Sequence, residues 1–104
     1  MNENDWSALP VREASRVVLA DDADYTLTKM SALPCRGPAP HTHRHKQLVY
    51  VLSGAGAMLV GDELIPVQAG SVVTVPPDVP HIMHHVTEPT EWLEYFTPGR
   101  EDWR

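Results

Sequence analysis

Metal-capable side chains occur at every second position of one short segment. They are His41, His43, His45 and Gln47. Alternate side chains of a β-strand point to the same side, so these four could share one face. A further histidine, His81, follows the proline-rich segment 76–80. Two separate segments that could converge on one point predict a metal centre.

The predicted ligands are His41, His43, Gln47 and His81. All four are neutral, so a divalent ion would keep its full charge and act as a Lewis acid, which favours non-redox chemistry. His45 has the parity of His43 and could replace His41, or it could lie at the rim behind the ligands. These donors suit one divalent transition metal, namely Zn, Ni, Mn, Fe or Co. The alternative is a pocket of hydrogen-bonded histidines without a metal.

Short strands must position these residues, because ten prolines and six glycines interrupt the apolar runs and no helical period is sustained. The predicted strands cover residues 15–20, 25–33, 47–52, 57–60, 63–67, 71–75, 81–87 and 91–97. Gly61-Asp62 predicts a two-residue hairpin turn. Along residues 81–87, regular alternation favours His85 over His84 for the interior, although a surface position or a polar core position is favoured for both. The pattern indicates an all-β sandwich or barrel.

Length and charge narrow the function classes. A chain of 104 residues that is 42% hydrophobic predicts one globular domain over residues 1–104, with an N-terminal arm (1–14), a barrel (15–97) and a C-terminal tail (98–104). The net charge is −6 without a basic cluster, which argues against nucleic acid as a partner. No apolar run approaches the length of a membrane span, and the acidic N-terminus is unlike a signal peptide. We therefore expect a cytoplasmic protein whose lone Cys35 is structural.

The motifs resemble those of the cupin superfamily. His41-x-His43, Gln47 and Gly54 have the spacing of the first cupin motif. Residues of the second motif follow, at Gly70, Pro76, His81 and His85. Four positions depart from the family pattern: Cys35 and Asp78 replace glycines, Gln47 replaces glutamate, and His85 replaces asparagine. The resemblance implies an all-β, single-domain jelly-roll barrel.

A narrower resemblance is to the KdgF-type pectin-degradation cupins, which open the ring of 4,5-unsaturated uronic acids. It is carried by Gln47, by segments 50–54 and 76–81, and above all by segment 96–103. That family implies a metal on two histidines, a glutamine and a later histidine. It also implies a catalytic set, matched here by Glu94-x-Phe96-x-x-x-Arg100 with glutamate in place of aspartate. By this resemblance Glu94 moves a proton, Arg100 holds a substrate carboxylate, and Phe96 completes the set.

We therefore predict a metal-dependent, non-redox lyase or isomerase acting on a small, anionic, carboxylated metabolite, with uronate ring opening as the specific form. A different cupin enzyme (a natural-product cyclase or a dioxygenase) and a non-catalytic binding or storage cupin are the alternatives. Glu94 could instead face solvent, and Arg100 could pair with Glu101 or Asp102. We also predict a homodimer, in which Trp6 and Trp103 anchor the arms across the interface or pack on their own subunit.

Overall fold

The computed structural model describes residues 3–103, with side chains from Trp6 onward. Residues 1, 2 and 104 of the predicted domain lie outside this part. Within it the chain forms nine strands: β1 (Ser15–Asp21), β2 (Thr26–Ala32), β3 (Cys35–Arg36), β4 (Lys46–Ser53), β5 (Ala55–Val60), β6 (Glu63–Gln68), β7 (Val72–Val75), β8 (His81–Val86) and β9 (Thr90–Thr97). Short 3-10 helices, Glu3–Ala8 and Glu101–Trp103, flank them.

The strands form two antiparallel sheets. One has the order β1-β2-β9-β4-β7 and the other has the order β3-β8-β5-β6. Consecutive strands often belong to different sheets, so the chain crosses between two packed layers as it does in a jelly roll. The predicted all-β jelly-roll fold is confirmed.

The space between the sheets is filled by alternate side chains. In β4 the residues Gln47, Val49 and Val51 are buried, while their neighbours point outward. The core cluster they join contains Cys35, Val49, Val51, Met58, Val67, Val73, Val75, Val86 and Trp92. Burial of such side chains stabilises the fold by about 1.5–3 kcal/mol for each large aliphatic or aromatic residue. Four members of this cluster, Cys35, Met58, Val86 and Trp92, also line a cavity between the sheets.

Two turns have the geometry that their residues favour. Gly61 has a φ of 58° at the two-residue turn between β5 and β6, so the predicted hairpin is confirmed. Asp78, which replaces the second-motif glycine, has a φ of 63°, a left-handed conformation that aspartate tolerates better than most residues. Its backbone N–H donates to the carbonyl of His43 at 2.8 Å. The proline-rich loop is therefore tied to the histidine segment.

A β-bulge at His84 overturns one expectation. Ala57 pairs with His85 whereas Met58 pairs with Met83, so His84 is an extra residue in β8. The bulge shifts the alternation by one position, because two residues of the bulged strand oppose one residue of its partner. Val86 therefore lies in the core, and His85 points outward beneath Trp6, with ring centroids 5.3 Å apart. His85 is buried under Trp6 on the side of the sheet away from the cavity, so the preference for it as a pocket-facing residue, based on regular alternation, was wrong.

Both terminal segments pack on their own subunit. Trp6 covers His84 and His85, and the Arg36 side chain donates to the Leu9 carbonyl at 2.9 Å. At the other end Trp103 packs edge-on against Phe96, with centroids 5.2 Å apart. Of the helices in the described residues, none has the length and apolar character needed to cross a membrane.

Candidate metal centre

The backbone brings His41 and His81 face to face. Each residue's N–H donates to the other's carbonyl at 3.0 Å, which forms an isolated antiparallel bridge. Directly opposed residues of an antiparallel pair point to the same side. Their ring centroids are 4.5 Å apart, and the His43 ring lies 4.7 Å from that of His81. One potential ligand atom from each of the three histidines lies within 4.8 Å of the others.

The Nδ1 atom of His43 must carry the proton of the neutral ring, because it donates to the His45 carbonyl at 2.9 Å. Its Nε2 is therefore a bare acceptor, yet it lies 3.0 Å from the Gln47 side-chain oxygen, which is also an acceptor. The Gln47 side chain also lowers the pKa of Glu94, as an amide NH₂ facing that carboxyl group does, which directs the NH₂ away from His43. Two acceptors at this distance repel one another unless a cation lies between them.

His81 also presents a ring nitrogen with a free lone pair. Its Nδ1–H donates to the Val79 carbonyl at 2.8 Å, so Nε2 holds a lone pair. That Nε2 is buried and has no hydrogen-bond partner in the described part of the chain. An unpaired buried polar atom costs about 1–3 kcal/mol, and native structures rarely leave one without a reason. A metal ion would satisfy this atom.

The protonation states suit metal binding. Burial is the largest cause that lowers the pKa of His41, His43 and His81, and repulsion from neighbouring histidines and from Arg100 adds to it. The pKa of His81 falls to about 4. Imidazole binds a metal only when it is neutral. The cluster is therefore ready for a cation at neutral pH.

The residues present fit a divalent transition metal. Two ligand atoms that each lie about 2.1 Å from one ion, at a right angle, are about 3.0 Å apart, which is the separation of His43 Nε2 and Gln47 Oε1. Backbone carbonyls orient two of the rings from behind, as metal-bound histidines require. His41, His43, Gln47 and His81 are the residues that would hold the ion.

His45 does not join this cluster. Residues 42–45 lack the extended geometry of a strand, so the expected common face of the four alternating residues is not formed. The His45 ring is buried and its Nε2 lies 3.0 Å from a carboxylate oxygen of Glu101. That contact lowers the pKa of Glu101 to about 2, with smaller contributions from a backbone hydrogen bond and then from Arg44. His45 thus braces the tail and also lends its carbonyl to His43.

A cavity of about 510 Å³ opens beside the histidines. Its wall includes residues of both sheets and of the tail: His41, His81, Met30, Met58, Met83, Trp92, Glu94, Phe96, Arg12, Arg16, Arg100 and Trp103. This volume is typical of sites for small metabolites. The wall combines apolar side chains with charged ones, which is the composition of a binding site rather than of a core void.

Glu94 lies on the inward face of β9, between Trp92 and Phe96, so the solvent-facing alternative does not hold. The Trp92 indole donates to its carboxylate at 3.0 Å. Burial raises the pKa of Glu94, and the indole hydrogen bond and the charges of Arg16 and Arg100 offset only part of this effect. A carboxyl group with a raised pKa in a cavity suits proton transfer.

Arg100 is buried in the cavity wall and uses two of its N–H groups on Asp102. Nε and Nη2 donate to the two carboxylate oxygens at 2.9 and 2.7 Å. The guanidinium carbon lies 4.8 Å from the Phe96 ring centroid and 4.0 Å from that of Trp103. The fork of Arg100 therefore already holds a carboxylate from its own chain. Its role toward a substrate stays a prediction.

Arg16 is a cavity residue that the sequence did not single out. It pairs across the sheet with Met30, and Met30 pairs with Trp92, so the three residues share the inward face. The sequence alone could not identify Arg16, because a polar residue at the start of a strand is common. Its inward position follows only from the register of β1 with β2. Trp103, expected to serve as an anchor, also belongs to the wall.

Comparisons with known proteins agree with this architecture. Residues 30–96 match the family described as Cupin domain. Uncharacterized protein SCO3923 from Streptomyces coelicolor is 41% identical over 56 residues, which are 54% of this chain and 53% of that protein. The chain thus spans about half the length of that curated relative.

Solved structures share the fold. An RmlC-like cupin from Shewanella frigidimarina has a TM-score of 0.79 at 27% identity, over 88% of this chain and 81% of that one. KdgF from Halomonas sp. has a TM-score of 0.74 at 24% identity, over 88% of this chain and 84% of that one, a level of identity at which the likeness concerns the fold alone. Because the family match covers more than half of the sequence, this chain belongs to the cupin family.

Proposed function

We propose that this cupin is a metal-dependent lyase or isomerase that acts on a small, oxygenated metabolite bearing a carboxylate. The observation that carries the proposal is the buried, unpartnered Nε2 of His81 beside the paired acceptors of His43 and Gln47. These atoms could bind a cation. His41 and His81 of the same cluster line a cavity of metabolite size. The specific reaction that we propose is ring opening of a 4,5-unsaturated uronate, in line with the KdgF-type motifs.

Each part of the site has a function in this scheme. A divalent ion on His41, His43, Gln47 and His81 would supply Lewis acidity toward a substrate oxygen. Glu94 can hold and release a proton, because burial raises the pKa of its carboxyl group. Phe96 and Trp92 are buried and flank Glu94 on the same face of β9. The arginines of the wall provide positive charge for a carboxylate.

Ring opening of such a substrate is an isomerisation, so no atom is gained or lost. The bond between the anomeric carbon and the ring oxygen breaks, the anomeric hydroxyl loses its proton and becomes an aldehyde, and the alkene carbon C4 gains a proton while C5 becomes a ketone. Glu94 is the side chain of the cavity that can take the first proton and deliver the second. The loss of the alkene also removes its conjugation with the carboxylate.

This conjugation gives the test. Protein loaded with each candidate metal is mixed with a 4,5-unsaturated galacturonate, and the ultraviolet absorbance of the conjugated double bond is followed. We expect its loss to exceed the spontaneous rate, and Glu94→Gln to lower kcat by about 10²–10⁴-fold. The matched control is Glu63→Gln, the same chemical change at an exposed residue of β6, which should leave the rate unchanged.

Two results would contradict the proposal. Metal-loaded protein that turns over the substrate at the background rate would exclude uronate ring opening. Protein that binds no metal would exclude the whole scheme, including any lyase or isomerase chemistry that depends on the ion. Oxygen consumption by an iron-loaded sample would indicate a dioxygenase in its place.

We further propose that the protein forms a homodimer through the outer face of the five-stranded sheet. Cross-strand neighbours there are apolar and exposed: Leu48 pairs with Tyr95, and Tyr50 pairs with Val72. Monomeric proteins rarely leave a large contiguous apolar patch in water. Light scattering should give twice the mass of the chain, and Tyr50→Glu should give the mass of a monomer; a monomeric wild type would refute this proposal.

A further inference from the structure

Two arginines approach the same tryptophan from different elements. The guanidinium carbon of Arg16, on β1, lies 3.8 Å from the ring centroid of Trp103, and that of Arg100 lies 4.0 Å from it. Both guanidinium charges act on the carboxyl group of Glu94, so both reach the interior of the cavity. Stacking on an aromatic face holds the plane of a guanidinium in a fixed orientation.

The two side chains differ in what they already bind. Arg100 presents Nε and Nη2 to Asp102, so a ligand carboxylate at that fork would have to displace an internal one. Arg16 forms no ion pair with any carboxylate among the residues whose side chains are described. The Arg16 guanidinium is therefore oriented at the cavity wall and has no anion bound to it.

We propose that Arg16, held by Trp103, is the residue that binds the carboxylate of the substrate. This inference rests on the proposed function. It assigns to Arg16 the carboxylate-binding role that the KdgF-type resemblance assigns to Arg100. Glu13 and Glu94 also lie at the cavity wall, but neither forms an ion pair with Arg16. Of the two arginines that stack on Trp103, Arg16 is therefore the one whose fork holds no carboxylate, because the fork of Arg100 is taken by Asp102.

The first experiment measures binding of stable probes to the metal-loaded protein by calorimetry. The probes are glucuronate, glucose 6-phosphate and glucose, which carry a carboxylate, a phosphate and no charge. We expect glucuronate to bind more tightly than glucose. Arg16→Gln should weaken glucuronate binding by about 10- to 100-fold, the effect of a charge-assisted bidentate hydrogen bond.

The matched control is Lys29→Gln. Lys29 carries the same charge on the neighbouring strand but pairs with Glu91 and does not line the cavity. It should bind glucuronate as the wild type does, which separates a local contact from a change in net charge. Both substitutions are at exposed or partly exposed side chains, and Arg16→Lys, which lacks the planar fork, should recover only part of the affinity.

Several outcomes would overturn the inference. They are equal binding of glucuronate by the wild type and Arg16→Gln, equal binding of glucuronate and glucose by the wild type, and tighter binding of glucose 6-phosphate than of glucuronate. A second readout separates this inference from the proposed function. If the wild type opens unsaturated uronates while Arg16→Gln has an unchanged KM, the inference fails and the function stands. If Arg16 governs glucuronate binding but no uronate is turned over, the function fails and the inference stands.

Discussion

Removal of the His41 imidazole should abolish most of the stabilisation by metal without damaging the metal-free fold. His41 is the exposed member of the cluster, and no hydrogen bond of its side chain occurs in the described part of the chain. His43 and His81, by contrast, bond to backbone carbonyls and are partly or fully buried. His41→Ala is therefore the cleanest ligand deletion, with an expected loss of at most about 0.5 kcal/mol in the metal-free protein.

The size of the effect follows from linkage. A metal present at about 100 times its Kd stabilises the folded state by about 2.7 kcal/mol. For 104 residues the unfolding entropy is about 0.22 kcal/mol/K, so the wild-type Tm should rise by about 12 °C. Loss of a direct ligand should weaken binding at least as much as loss of an outer partner, for which about 100-fold is the upper range. At the same metal concentration the variant would gain only about 2 °C.

The assay is thermal unfolding of chelator-treated protein, with and without each candidate metal. His84→Ala is the control, because it also removes an imidazole but lies on the outer side of β8. It should keep the full metal-induced rise in Tm whatever its own starting value. The reasoning would be refuted by a His41→Ala protein that retains the 12 °C rise, or by a His84→Ala protein that loses it.

Further predictions concern the backbone and the pH dependence of stability. Gly54→Ala should lose about 2–4 kcal/mol, because its φ is 96° and a Cβ would collide with Thr90 and Pro89; Gly70→Ala, at φ 90° in open space, should lose only about 1 kcal/mol in urea unfolding. Asp78→Val should cost about 1–2 kcal/mol whereas Asp78→Gly stays within about 0.5; equal losses would refute a left-handed requirement. Burial lowers the pKa of His85, so the unfolded chain protonates first and stability falls as the pH drops below about 6.5; His85→Asn should flatten this decline between pH 7.5 and 5.5, and an unchanged slope would contradict it.

The sequence predicted the fold well because its strands are punctuated by residues of limited conformational choice. Prolines and glycines separate the apolar runs, and the strand expected over residues 47–52 is present as β4 (Lys46–Ser53). Placement of His41, His43, Gln47 and His81 was also predictable. Their spacing matches family motifs, and the structure brings the three histidines together, with Gln47 in contact with His43.

Other features depend on registers that no local pattern determines. The bulge at His84 arises from the pairing of β8 with β5, and it alone decides that His85 faces outward. The hydrogen bonds between Arg100 and Asp102 depend on the short helix Glu101–Trp103, because its turn brings the Asp102 carboxylate close to the Arg100 guanidinium. His45 likewise left the expected face because its segment does not extend as a strand.

The bulge at His84 also means that β8 can lose one residue at this point without changing which of its side chains face inward. Deleting His84 would return β5 and β8 to an uninterrupted ladder and leave His81, Met83 and Val86 facing inward as before. A deletion within β4 would instead exchange its two faces and turn Val49 to the outside. Relatives of this protein can therefore differ by one residue at this point of β8 and keep the same cavity, whereas the regularly paired part of β4, residues 46–51, must keep its length.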